Sequence, residues 1–171
     1  MLSASMIYEI KPIAEEHISG FRATLDAVAR ERGFLSFMEA PPFEQMRSFV
    51  LNNIKERWPQ FVVIVDDQIV GWCDVLPNLR RTVSAHCATL GMGLLPEYRG
   101  HGIGRKLIER ALHAAFAFGF KRIELTVREV NFNAIALYKS VGFETEGLHR
   151  KAVLIEGDYE NTLSMALIAE Q

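Results

Sequence analysis

The sequence predicts an α/β (α+β) domain in which a mixed central sheet of about seven strands carries helices on both faces. Three observations lead there. Apolar residues switch along the chain between a spacing of two and spacings of three and four, in the order β-α-α-β-β-β-α-β-α-β-β. The central stretch Leu90 to Arg105 reads as a strand stopped at Pro96, a tight glycine loop and the start of a long amphipathic helix. No repeat, low-complexity segment or linker divides the 171 residues, so a single domain over residues 1–171 is expected.

Each element has its own signal. Met6 to Lys11 alternates as a first strand ended by Pro12. Ile18, Phe21, Leu25, Val28 and Ala29 recur at three and four between Glu15 and Arg32, an amphipathic helix that Gly33 is expected to close. Pro41-Pro42 is a stiff break before a second helix from Phe43 to Arg57, with the stripe Phe43, Met46, Phe49, Val50 and Ile54. After Pro59, the β-branched run Phe61 to Val65 is expected to be buried on both faces, and Asp66-Asp67-Gln68 turns it into a strand over Ile69 to Leu76. Pro77 to Arg81 is a polar loop, and Thr82 to Leu95 is the strand that enters the glycine loop. Ile103, Leu107, Ile108, Ala111, Leu112, Ala115 and Phe116 give the next helix one apolar face, and Gly119 caps it. Arg122 to Val127 alternates as a strand, and Asn131 to Val141 is a shorter helix ended by Gly142. Phe143 to Leu154 and Tyr159 to Ala169 close the chain as two strands around Gly157-Asp158.

Composition narrows the function classes. Hydrophobic residues make up 49% and charged residues 23%, ordinary values for a globular protein, and a net charge of −2 gives no general affinity for nucleic acid or an acidic membrane. No apolar run approaches the roughly 20 residues that span a bilayer. The segment Met1 to Ser5 lacks a signal-peptide layout, so a cytoplasmic address is expected. Cys73 and Cys87 are isolated thiols on strands, where small buried hydrophobes are the usual reading. His17, His86, His101, His113 and His149 are scattered with no pair at metal-ligand spacing, so no metal site is expected.

The glycine loop carries the chemistry. Gly100, Gly102 and Gly104 stand at alternate positions, where bare backbone lets a ligand approach, and the helix that follows aims its unpaired N–H groups into the loop. A pyrophosphate is the natural guest of such a site. It is not a Walker loop, since Gly104 is followed by Arg105-Lys106, nor a dinucleotide fingerprint, since the spacing is G-x-G-x-G. With Arg99 included, Arg99-x-x-Gly102-x-Gly104 resembles the Q/R-x-x-G-x-G/A signature of the GNAT family of N-acetyltransferases. A second landmark lies downstream: Asn131-Phe-Asn133-Ala-Ile-Ala-Leu-Tyr138, then Gly142-Phe143 and a strand, similar to the family's Asn, Tyr and Gly-Phe pattern. Asn131 and Tyr138 are two helical turns apart and can face one groove.

The resemblance covers roughly residues 61–168 and implies acetyl-CoA as cosubstrate. It implies that Arg99, Gly100, His101, Gly102, Ile103, Gly104 and Arg105 form the pyrophosphate loop. Backbone groups of Met92, Gly93 and Leu94 would hold the pantetheine arm, and one N–H near Leu94 would meet the thioester oxygen as charge develops. A bulge at Gly91 to Gly93 would splay this strand from the one starting at Arg122 and open the slot. Asn131 matches the residue that bonds the pantetheine arm, against the plainer role of helix N-cap, for which Asn133 competes. Tyr138 matches the general acid, against the plainer role of an interior aromatic. A phenol with a pKa of about 10 is protonated at neutral pH and can donate to a departing thiolate.

One departure concerns the base. Alignment on Arg99 and Tyr138 puts Ala88 and Thr126 where many relatives carry a Glu, and neither takes a proton. His86 would share the face of Ala88 on a regular strand, which makes it the candidate base. An enzyme without a strong base is more comfortable with a peptide α-amine than with a lysine amine, whose deprotonation at neutral pH is roughly 3–4 kcal/mol costlier; this disfavours lysine side chains and does not choose between peptide ends and small amines.

The reading is therefore acetyl transfer to the primary amine of a small molecule, an amino acid or an analogue, by direct attack in a ternary complex. The alternatives are N-terminal acetylation of a ribosomal or other protein, which a wide basic groove would favour, and a non-catalytic CoA-binding module. Glu39 and Arg150 are the charged residues expected at the acceptor, one for its ammonium and one for its carboxylate. No nucleic acid or membrane is expected as a partner; a homodimer is left open.

Overall fold

The computed structural model describes residues 6–79 and 82–170. The expectation about the N-terminus rests on residues 1–5, outside the described residues, as do two positions of the polar loop after Pro77.

Seven strands form one sheet in the order β1-β2-β3-β4-β5-β7-β6. They are β1 (Glu9–Pro12), β2 (Gln60–Val65), β3 (Gln68–Pro77), β4 (Cys87–Leu94), β5 (Arg122–Arg128), β6 (Glu144–Ile155) and β7 (Asp158–Ile168). Every pairing is antiparallel except β4 with β5. Local chemistry explains the tight turns. Asp66 and Asp67 both take positive φ between β2 and β3, and Glu156 and Gly157 do so between β6 and β7, the backbone that a two-residue hairpin of this twist requires.

Helices α1 (Ile18–Arg30) and α2 (Phe43–Glu56) pack on one face, and α3 (Ile103–Phe118) and α4 (Phe132–Ser140) on the other. The strands supply both cores by alternation. Val62 and Trp72 face α1 and α2, while Val63, Cys73, Val75 and Leu90 face α3. The β2 strand is buried on both sides, as its unbroken apolar run predicts. On α3, Leu107, Ile108, Ala111 and Ala115 are wholly buried, each large side chain contributing about 1.5–3 kcal/mol.

Three expectations are corrected. Gly33 does not end α1: a one-turn helix over Glu15–His17 precedes it, and Arg32 takes the positive φ beyond its end. The strand expected from Thr82 begins only at Cys87. Pro77, opposite Ala88, terminates the β3 ladder, and Thr82–Ser84 form a short turn of helix instead. No bulge interrupts β4 at Gly91 to Gly93; its register against β3 is continuous from Ala88 to Leu94.

Candidate active site

The slot exists without the bulge. The parallel ladder between β4 and β5 pairs Cys87 with Arg122, Ala88 with Ile123 and Thr89 with Glu124, and then stops. Beyond Thr89 the strands part. Leu95 donates its N–H to the Val70 carbonyl, so alternation turns the backbone groups of Met92 and Leu94 away from β3 and toward the gap. Met92 and Leu94 are two of the three residues that the resemblance implies for a pantetheine arm; the third, Gly93, is corrected, because the same alternation turns its backbone groups to Trp72 on β3.

A cavity of about 1010 Å³ runs through the opening from one face of the sheet to the other. On the α3/α4 side its wall includes Met92, Gly100, Gly102, Gly104, Arg105, Asn131, Leu137 and Tyr138. Gly100 and Gly102 have φ of 76° and 81°, and a Cβ on either would meet nothing within 4 Å. Both therefore answer to backbone conformation and to the open space before them, not to crowding inside the fold. Gly102 is also the N-cap of α3, which leaves the first-turn N–H groups of Ile103, Gly104 and Arg105 without intrahelical partners. Bare backbone, free N–H groups and a helix dipole meet at one place, and these residues fit a pyrophosphate. The Ile103 side chain belongs to the core, so only its backbone is available. His101 is exposed, and the Arg105 guanidinium is paired with Glu109.

Arg99 is held differently from a free phosphate ligand. Its Nε donates to the Leu94 carbonyl at 2.9 Å, its terminal nitrogens donate to both Glu31 oxygens at 2.8 and 2.7 Å, and its guanidinium stacks over Phe34 at 4.5 Å. It braces the loop after β4 against the end of α1.

Asn131 caps α4, its Oδ1 accepting from Ala134 N–H at 3.3 Å, and it lines the cavity as well. The N-cap role therefore falls to Asn131 and not to Asn133. Tyr138 lies seven residues along the same helix, buried against Phe143 with its hydroxyl pushed well above the usual phenol range, chiefly by burial and also by nearby Cys73.

On the α1/α2 side the cavity walls are mainly apolar: Phe21, Leu25, Met46, Phe49 and Trp72, with Phe34, Leu35 and Phe37 from the segment between the two helices, while Ser36 and Gln45 add polar groups. Gly93 accommodates the Trp72 ring, since a Cβ there would sit 2.4 Å from it. Arg128 at the end of β5 is buried and donates to both carboxylate oxygens of Glu160 and to the Arg32 carbonyl.

Three candidates, His86, Glu39 and Arg150, are not brought here. His86 is exposed in the turn before β4, where its carbonyl accepts from Lys121 and Arg122, and it does not line the cavity. Glu39 is drawn to Arg30 at 3.3 Å, outside the lining. Arg150 is exposed on β6, within the register shift between His149 and Val153.

Sequence reasoning missed Asp74. It lines the cavity from β3 on the α1/α2 side, and burial pushes its carboxyl up to about 7. Its signal was present: in Val70 to Leu76 it is the one charged residue among apolar neighbours.

A family model described as the acetyltransferase (GNAT) family matches residues 25–143. The chain is 38% identical over 89 residues to the N-alpha-acetyltransferase RimI of Mycobacterium tuberculosis, a match covering 52% of this chain and 54% of that protein. It is 32% identical over 112 residues to the L-amino acid N-acetyltransferase AaaT of Escherichia coli, covering 64% of this chain and 67% of that protein. The matches thus span from about half to two thirds of these relatives' lengths. A GNAT superfamily phosphinothricin acetyltransferase from Sinorhizobium meliloti, solved in complex with acetyl-CoA, shares the fold with a TM-score of 0.88 at 19% identity, over 95% of this chain and 89% of that one. With the glycine loop, the parted strands and the Asn131–Tyr138 helix around one cavity, the match over residues 25–143 establishes that the chain belongs to the GNAT family, a family of acetyl-CoA-dependent N-acetyltransferases.

Proposed function

We propose that the chain transfers the acetyl group of acetyl-CoA to the primary amine of a small molecule, an amino acid or an analogue of one, by direct attack in a ternary complex. One observation carries the reading: a single cavity joins the glycine loop on one face of the sheet to an apolar chamber on the other, through the gap between β4 and β5. Two substrates entering from opposite faces meet there, with no need for an acyl-enzyme.

In this reading the pyrophosphate rests on the N–H groups after Gly102, and the backbone of Met92 and Leu94 aligns the pantetheine arm. Acetyl-CoA supplies an activated thioester. Tyr138 donates its proton to the departing sulfur, and its burial keeps the hydroxyl protonated across the neutral range. The small-molecule acceptor is supported by the walled, apolar chamber and by the similarity to AaaT. Arg128, a cation on the chamber wall, already shares its guanidinium with Glu160, so an acceptor carboxylate would have to join that pair.

Similarity to RimI supports a second acceptor, the N-terminal amine of a protein. Thiol release from acetyl-CoA is the test, read with L-phenylalanine, 2-phenylethylamine and a peptide with a free N-terminus. Faster release with the amino acid than with the amine supports the amino-acid reading, and release with the peptide alone supports the second. No release with any primary amine removes the transferase reading.

A further inference from the structure

Resting on that transferase reading, we propose that Asp74 receives the acceptor's amine. Its carboxylate holds the incoming ammonium over β4 and takes the proton that must leave before the nitrogen can attack, and the body carrying that amine is apolar.

Position comes first. Asp74 pairs in register with Gly91, two residues past the last β4–β5 pair at Thr89 and Glu124, so it stands where the slot opens. A Cβ on Gly91 would lie 3.3 Å from Asp74 Oδ1, which places the carboxyl across bare β4 backbone. Next to it in the chain, Cys73 faces the opposite side of the sheet, the side of Tyr138. Base and acid thus flank the gap from its two faces.

Charge comes second. Among the described residues, no hydrogen bond or ion pair engages the Asp74 carboxyl. The cavity wall around it carries Phe21 and Leu25 from α1, Gln45, Met46 and Phe49 from α2, and Trp72 beside it on β3, with no charged group from either helix. The charged groups on the chamber wall are already taken: Arg128 on β5 by Glu160 on β7, and Arg99 by Glu31. Cys73, behind Asp74, is neutral, its thiol raised well above its usual range by burial and by the Asp74 charge. A part-buried carboxylate on the cavity wall, with no protein partner, costs free energy when it ionises. Burial alone raises it to about 7, so at neutral pH it exchanges its proton readily, as a base in this role must. A ligand ammonium is the partner that such a site lacks.

The step balances. The ammonium gives one proton to the Asp74 carboxylate and becomes a neutral amine. Its lone pair forms the C–N bond to the acetyl carbon, and the C–S bond breaks with its electron pair on sulfur. Tyr138 protonates that sulfur and recovers the second proton from the nitrogen, leaving an amide, free CoA thiol and one proton that Asp74 returns to solvent.

The test is binding calorimetry on the CoA-saturated protein with 2-phenylethylamine and L-phenylalanine, which share a body and differ in the carboxylate. At least one should bind wild type, and more weakly by about tenfold or more to Asp74→Asn, whose CoA thermal shift reports its folding. In wild type alone, affinity should fall about tenfold from pH 8 to pH 6 as the carboxylate protonates. With turnover, kcat/KM should fall on the acid side of pH 7 in wild type and lose that limb in Asp74→Asn. The proposal is overturned if neither compound binds, if wild type and variant bind alike, or if affinity is flat between pH 6 and pH 8; this last readout decides should the variant fail to fold. Discrimination at Asp74 with no thiol release would sink the transferase reading and leave the amine site standing.

Discussion

Tyr138→Phe keeps the ring against Phe143 and removes only the proton donor. Acetyl-CoA affinity should hold while kcat falls by roughly 10²–10⁴-fold, and full kcat with chemistry limiting would make Tyr138 a packing residue. Asp74 makes the opposite kind of prediction, about stability. Its folded pKa of about 7 exceeds the unfolded value, so the folded chain binds the extra proton between the two, and stability is lost as pH rises through that window. Asp74→Asn should therefore raise Tm at pH 8, by on the order of 1–3 kcal/mol in stability, and leave it unchanged near pH 4. Equal Tm values at both pH values would mean that the carboxyl is solvated. That Asn131 and Tyr138 share one helix and one cavity wall was legible from their spacing of seven, while the roles proposed for them came from the resemblance to the family pattern. Asp74 left only a faint signal, the one acid in an apolar strand, and such an acid reads as outward-facing until α1 and α2 pack over that face.

The loop and the strand before it set the tolerance of the glycines. Gly102→Val must place a β-branched residue at φ 81°, at a cost of about 1–2 kcal/mol or more, and would also crowd the N–H groups. Loss of the CoA thermal shift from a folded variant is the expected outcome. Gly104 differs, since its Cβ would find ordinary contacts at 3.4 Å to Leu94 and 3.5 Å to Leu137. Gly104→Ala should retain the shift, and its loss there would show that the ligand presses closer than the helix does. The element order and the glycine loop were readable because turns, caps and periodicity are local. The parting of β4 from β5 was not, because the length of a parallel ladder is decided by two segments far apart in sequence. The expected bulge assigned to one strand what belongs to the pair.

At the scale of the molecule, ligand binding should appear as stability. CoA at 100 times its Kd adds about 2.7 kcal/mol, and indifference of Tm to millimolar CoA would remove the cofactor assignment. The sheet itself points to where that stability is felt. Strands β1 to β4 form one antiparallel ribbon and β5 to β7 another, stitched to each other in the sheet by the pairs Cys87–Arg122, Ala88–Ile123 and Thr89–Glu124. In the proposed binding mode a cosubstrate in the gap would complete the stitching, its amides standing where the missing strand pairs would be. The amide hydrogens of Met92 and Leu94, which face the gap, should exchange with deuterium within the time of local opening in the free protein and slow markedly with CoA. Those of Gly71 and Trp72, on the neighbouring strand away from the seam, should change little. The two ribbons would then behave as separate leaves of one book until the cosubstrate acts as the binding.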